Sequence, residues 1–126
     1  MSLELSDLEA LDIWRRAIVS SVRHDAPDLS ARQMSVLLTV YLVPPPHTVR
    51  GMAEQLNVTK PVITRAVDRL GELDLVRRKT DPDDRRSVLL QRTVKGAVFL
   101  REFGELIVEA AKGAVDGDPS GLPPKY

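Results

Sequence analysis

Residues 48–67 read Thr48-Val49-Arg50-Gly51-Met52-Ala53-Glu54-Gln55-Leu56-Asn57-Val58-Thr59-Lys60-Pro61-Val62-Ile63-Thr64-Arg65-Ala66-Val67, and this stretch decides the fold. Thr48 is placed to cap a short helix reaching about Leu56, and Thr59 to cap a second reaching about Asp74. Pro61 falls in the first turn of the second helix, where a missing N–H costs little. Two short helices joined this closely must cross steeply, so the first needs a small residue at the approach, and Ala53 supplies it. The turn between them needs a residue tolerant of left-handed backbone, and Asn57 is one. Val58, Val62, Ala66, Val67 and Leu70 then hold the second helix against the core. Thr59, Lys60, Pro61, Thr64, Arg65, Asp68 and Arg69 remain outward, most of them near the helix N-terminus. A recognition helix presents that end to the major groove of duplex DNA, and its dipole favours a nearby phosphate. Taken alone, the segment also reads as two ordinary amphipathic helices with a solvated basic face.

Downstream, Leu75–Lys79 and Ser87–Arg92 read as short strands joined by the polar loop Thr80–Arg86, a hairpin. Arg77, Arg78 and Lys79 lead into its tip, which carries Arg85 and Arg86. A basic tip can enter the minor groove, where narrow A·T-rich stretches concentrate negative potential, and Asp84 can brace an arginine for that insertion. Thr93 opens a last helix with Phe99, Phe103, Leu106, Ile107, Ala110 and Ala114 along one face. From Asp116 onward, Gly117, Pro119, Gly121, Pro123 and Pro124 read as a disordered tail.

Upstream, Ser6-Asp7-Leu8-Glu9 has the spacing of a capping box. Leu8, Leu11, Trp14, Ile18 and Val22 follow as an apolar stripe on a helix running to about His24. Ser30 and Gln33 form a second capping box, with Leu29 and Met34 spaced as a hydrophobic staple. That helix, to about Val43, is apolar almost all round and reads as the buried core helix, stopped by Pro44-Pro45-Pro46. The predicted order is α-α-α-α-β-β-α, with a possible one-bridge strand near Thr48: a mainly α winged helix-turn-helix.

Composition bounds the rest. The 126 residues suit one domain, 43% hydrophobic and 29% charged. The chain has no cysteine, which excludes disulfides, thiolate zinc sites and cysteine redox sensing. Glu4, Asp7 and Glu9 stand where a signal peptide needs basic residues, and uninterrupted apolar runs such as Tyr41–Pro44 are too short to span a membrane. The expectation is a soluble, cytoplasmic protein. Net charge is zero, yet Arg50 to Arg101 holds twelve basic residues against seven acids, so a basic middle sits between acidic flanks. Asp81, Asp83 and Asp84 lack the glycine and distal glutamate of an EF-hand, so a wing turn is expected instead of a calcium site. His24 and His47 belong to no ligand-spaced set and read as surface or helix-end residues. No nucleophile elbow, phosphate loop or dinucleotide fingerprint is present, so no enzyme, metal or cofactor is expected.

From Ser30 to Gly96 the sequence resembles the MarR family of transcriptional regulators. The most specific part is Asp81 to Gly96: Asp84-Arg85-Arg86, apolar strand residues, then Thr93-Val94-Lys95-Gly96 opening the next helix. The resemblance implies a dimeric, triangular winged-helix regulator whose first and last helices form the dimer interface. By position, Arg86 would be the minor-groove arginine, with Arg85 beside it and Asp84 as its brace. Thr59, Lys60, Pro61, Thr64 and Arg65 would lie on the recognition helix. Regulators of this family often bind small aromatic compounds, and Trp14 reads either as part of such a pocket or as an interface residue. Family members usually extend further at the C-terminus, so dimerisation here is expected to rest on the two apolar stripes. The expected division is 6–24 and 93–115 for dimerisation, 30–92 for DNA and 116–126 as tail. Leu8, Leu11, Trp14, Ile18, Phe99, Phe103, Leu106 and Ile107 are expected at the dimer interface. The expected function is sequence-specific binding of double-stranded DNA, the alternative a winged-helix protein–protein adaptor.

Overall fold

Seven elements run in the order α1 (Asp7–Arg23), α2 (Ala31–Leu42), α3 (Val49–Leu56), α4 (Lys60–Glu72), β1 (Val76–Thr80), β2 (Val88–Arg92) and α5 (Val94–Val115) in the computed structural model, which describes residues 4–115. This is a mainly α winged helix-turn-helix with one antiparallel hairpin, as the caps and periods predict. The tail read from Asp116 onward lies outside the described residues. Packing divides the described chain into two units, residues 29–100 and residues 4–28 with 101–115.

In the winged unit, the start of α2 is the capping box read from sequence. Ser30 Oγ accepts from Gln33 N at 3.1 Å, and Gln33 Oε1 accepts from Ser30 N at 2.9 Å. α3 and α4 both stop on a non-glycine residue in the left-handed region, Asn57 at φ 54° and Asp74 at φ 57°. Each stop closes in the same way: Val58 N donates to Ala53 O at 3.0 Å, and Leu75 N donates to Leu70 O at 2.8 Å. That second bond corrects the predicted strand start. Leu75 N–H is used to close α4, so the ladder begins at Val76 and pairs Val76 with Arg92 through Thr80 with Val88. The expected bridge near Thr48 is present, opposite Leu89.

The core gathers Val36, Leu37 and Val40 of α2, Met52 and Ala53 of α3, Ile63, Ala66, Val67 and Leu70 of α4, and Leu75, Val76 and Leu90 around the hairpin. Fully burying a Val, Leu, Ile or Met side chain stabilises by about 1.5–3 kcal/mol, which makes this cluster the main source of stability. Two expectations are corrected here. The buried stripe of α4 centres on Ile63, which is 0% exposed, while Val62 is half-buried, because 63, 66, 67 and 70 satisfy the i, i+3, i+4, i+7 spacing. α2 is buried on one face only, since Arg32, Ser35 and Leu42 are exposed.

Tyr41 ties this unit together. Its hydroxyl accepts from Thr93 N at 2.7 Å and lies 2.9 Å from the carbonyls of Leu75 and Thr93, which share its one proton. Thr93 Oγ1 donates to Asp74 O at 2.7 Å and accepts from Gly96 N at 2.9 Å, capping α5. Gly96 packs so closely here that a Cβ would overlap the Tyr41 hydroxyl and the Leu75 carbonyl.

In the other unit, Ala17 of α1 and Phe103, Ala110 and Ala114 of α5 are buried, and Trp14 meets Phe103 edge-on at 6.3 Å between centroids. Phe99, grouped on sequence with Phe103, Leu106 and Ile107, packs instead on the winged-helix core, because the packing division falls inside α5. Asp12 is buried beside Arg16 (2.8 Å) and Arg15 (3.1 Å). Burial pushes its carboxyl up, but the hydrogen bonds and charges of Arg16 and Arg15 outweigh that and leave it below the usual 3.8. Among the described residues, no helix is long and apolar enough to cross a membrane.

Three outcomes follow for stability. Tyr41→Phe strands the buried Thr93 N–H and should cost about 1–3 kcal/mol, read as a lower urea midpoint at unchanged slope. Gly96→Ala should lose more, because the Leu75 carbonyl it meets is backbone and cannot swing aside; a wild-type midpoint would contradict the packing described. Asp12 binds fewer protons folded than unfolded near its titration, so its contribution is present above the unfolded pKa and lost as pH falls through the lowered folded one. The stability gap between wild type and Asp12→Asn should therefore be constant near neutrality and close below 3.8.

Candidate nucleic-acid interface

The outward surface of α4 begins with a departure from expectation. Thr59 is the N-cap residue by backbone, yet its side chain makes no capping bond, whereas Thr48 Oγ1 accepts from Gly51 N at 2.9 Å. The cause is local. A capping hydroxyl takes an N–H from the second or third helical residue; Pro61 has none, and Val62 N is already directed to Thr59 O at 3.1 Å. The Thr59 hydroxyl is thereby left for solvent or a ligand.

Thr59, Lys60, Pro61, Arg65 and Arg69 are exposed, and Thr64 is half-buried with its hydroxyl on Lys60 O at 3.1 Å. Arg65 Nε leans back towards Pro61 O at 3.4 Å, and Arg69 pairs loosely with Glu72 at 3.4 Å. The recognition-helix candidates thus share one exposed, cation-bearing face.

The wing candidates do not act as one set. Side chains alternate along β1, so Arg78 lies on the face of the buried Val76, while Arg77 and Lys79 lie on the other. Arg78 folds onto α4, donating to the Asp68 carboxylate and to Thr64 O (3.2 Å). Of the three basic residues expected in the wing, Arg78 thus pairs with α4 as a strut between wing and helix, while Arg77 and Lys79 are exposed.

At the tip, Asp81 Oδ1 accepts from Asp83 N at 2.9 Å, and Asp84 Oδ1 accepts from Arg86 N at 3.1 Å. Arg86 Nε lies 3.7 Å from the same Asp84 oxygen, with its side chain 95% exposed. Asp84 therefore holds the backbone of Arg86 more firmly than its guanidinium. Arg85 is exposed beside it. The base of the wing is anchored by Leu90 N on His47 O at 2.8 Å.

Sequence reasoning passed over two residues. From sequence Asp68 reads only as outward, because its partner lies ten positions away across a turn. Arg50 was counted in the basic window but given no place; it lines a cavity of about 240 Å3 with Lys60, Asp84 and Arg86. Both histidines sit at helix ends, His24 on Ser20 O at 2.7 Å and His47 donating from Nε2 to Val43 O at 2.8 Å. Among the described residues, no three His, Cys, Asp or Glu side chains converge as a metal site.

Residues 29–88 match the model of the MarR family. The fold is similar to that of a MepR mutant from S. aureus bound to an oligodeoxyribonucleotide (TM-score 0.72, 19% identity, 85% of this chain and 76% of that one). It is also similar to a MarR mutant from E. coli complexed with operator DNA (TM-score 0.63, 24% identity, 83% and 69%). The transcriptional regulator BldR from Sulfolobus solfataricus matches at 25% identity (TM-score 0.59, 89% and 86%).

The strut has a measurable signature. An exposed pair of this kind contributes about 0.2–1 kcal/mol. A double-mutant cycle of Asp68→Ala and Arg78→Ala in urea denaturation should give a coupling of that size. Strictly additive losses would mean the two side chains act independently.

Proposed function

We propose that the chain is a member of the MarR family, whose model its residues 29–88 match, and that it is a transcriptional regulator that binds double-stranded DNA sequence-specifically as a homodimer, acting as a ligand-responsive repressor on a pseudo-palindromic operator. The observation that carries the reading is the exposed cationic N-terminal half of α4 beside a wing tip whose Arg85 and Arg86 stand in solvent. An α4 inserted in the major groove presents Thr59, Lys60, Pro61, Thr64, Arg65 and Arg69 to bases and flanking phosphates. The tip then reaches the adjacent minor groove with Arg86, while Arg77 and Lys79 face the backbone. Two solved structures of like fold are DNA complexes, which supports DNA binding. Exposed Lys60, Arg65 and Arg69 speak against a protein adaptor, whose surface would be apolar or acidic.

The dimer is supported by an inversion in α1. Its small and paired residues, Ala17 and Asp12, are buried, while Leu8, Leu11, Trp14 and Ile18 are exposed, Leu11 by 64%. A second copy covers that stripe together with the half-buried Leu106 and Ile107. Phe103, only 6% exposed, serves from behind as the support of Trp14. The two recognition helices would then lie about one DNA turn apart, roughly 34 Å. The reading places the protein in the cytoplasm, without cofactor or catalysis.

Fluorescence anisotropy on the duplex upstream of its own gene tests the reading. Arg86→Ala should weaken binding strongly with fold and dimer intact, either lowering the slope of log K against log salt by about 0.9 per subunit or erasing a preference for A·T-rich flanks. Wild-type affinity, slope and flank preference together would remove the wing from the interface. Leu11→Asp should shift sedimentation from dimer to monomer, and a persistent dimer would place the interface elsewhere.

A further inference from the structure

Building on the DNA-binding reading, we propose that the cavity between the start of α3, the start of α4 and the base of the wing seats one phosphate group per subunit, with Arg50 as its principal cation. The cavity has a volume of about 240 Å3, and Thr48, Arg50, Lys60, Asp84, Arg86 and Ser87 are among the residues lining it. That is below the roughly 300–1,000 Å3 of sites for drug-sized molecules, so it suits a compact group. Three cations face it against one carboxylate. Asp84 is already engaged within the wing, by the backbone N–H of Arg86 at 3.1 Å and by Arg86 Nε at 3.7 Å. Among the described residues, neither Arg50 nor Lys60 has an ion-pair partner.

Two uncompensated cations around one small cavity repel each other, and a tetrahedral phosphate oxyanion relieves that repulsion while using the planar fork of Arg50. Helix geometry adds a donor. Thr48 Oγ1 takes the Gly51 N–H, Thr48 O takes that of Met52, and the bridge of Thr48 to Leu89 turns the Val49 amide towards the wing, leaving the Arg50 amide without an acceptor inside α3. Such a contact sets the register of the protein on the duplex and reads no base. Arg50 is therefore a positioning residue, distinct in role from Arg65 on the recognition helix.

The DNA backbone and free inorganic phosphate offer the same chemistry, and two measurements separate them. In the first, DNA-free wild-type protein and Arg50→Ala are titrated with inorganic phosphate against sodium chloride of equal ionic strength, following the Gly51 and Ser87 amides by NMR. In the second, anisotropy of a mixed-sequence duplex is measured over a salt series, with the exposed Lys95→Ala as control. The seat predicts saturable shifts that Arg50→Ala abolishes, and a slope of log K against log salt lower by about 0.9 per subunit in Arg50→Ala but not in Lys95→Ala. A lowered slope without shifts assigns the seat to the backbone phosphate alone; shifts with an unchanged slope assign it to a free oxyanion. A wild-type slope together with shifts no greater than in chloride overturns the proposal. A wild-type protein that binds no duplex defeats the DNA-binding reading, and the phosphate titration still decides the seat.

Discussion

The Tyr41 hydroxyl is the point on which the winged helix is hung. One oxygen touches the end of α2, the carbonyl that precedes β1 and the junction between β2 and α5. Thr93 extends the node by bonding Asp74 O, so the stop of α4 and the start of α5 are set by the same few atoms. Arg92 closes the arrangement, donating to Val40 O at 3.0 Å with its guanidinium 5.8 Å from the Tyr41 ring centroid. Shift this node and the root of β1 moves, carrying with it the Arg78 strut and one wall of the Arg50 cavity. Buried polar groups satisfied this fully specify a single arrangement, since any alternative leaves a donor or acceptor stranded.

What was legible in the sequence was what is decided within a few residues. The capping boxes at Ser6 and Ser30, the Thr48 cap and the left-handed Asn57 all depend on neighbours at most three or four positions away, and each is present. Thr59 failed as a cap for an equally local reason, the missing N–H of Pro61. The illegible features are those made across the chain. Leu75 is drawn out of the ladder by Leu70 O, Arg78 is turned inward by Asp68, and Arg50 gains significance only once the wing lies against the helix starts. Periodicity revealed the apolar stripe of α1 but could not say that the opposite face would be the buried one. The pairing of Asp12 with Arg15 and Arg16 offsets the cost of burying its carboxylate on that face.

The wing is held unevenly, and the unevenness suits its proposed work. Its root has long-range ties through Leu90 to His47 and through Arg78 to Asp68. Among the described residues, its tip is held only by bonds among Asp81, Asp83, Asp84, Arg86 and Ser87. Few buried contacts and short-range bonds mark a segment of low local stability, able to adjust to a groove of varying width while its root keeps α4 in place.

The exposed stripe of α1 has a consequence for the protein's abundance. In the proposed dimer, a second copy covering Leu8, Leu11, Trp14 and Ile18 would bind the folded chain and not the unfolded one, so apparent stability would rise with the protein's own concentration by mass action. A lone subunit offers solvent, proteases and chaperones an apolar surface that a paired subunit hides. On that reading the lifetime of the polypeptide would depend on how many copies the cell holds. Below the concentration of pairing, unpaired subunits would be the ones turned over, and the pool would have a lower threshold written into its first helix.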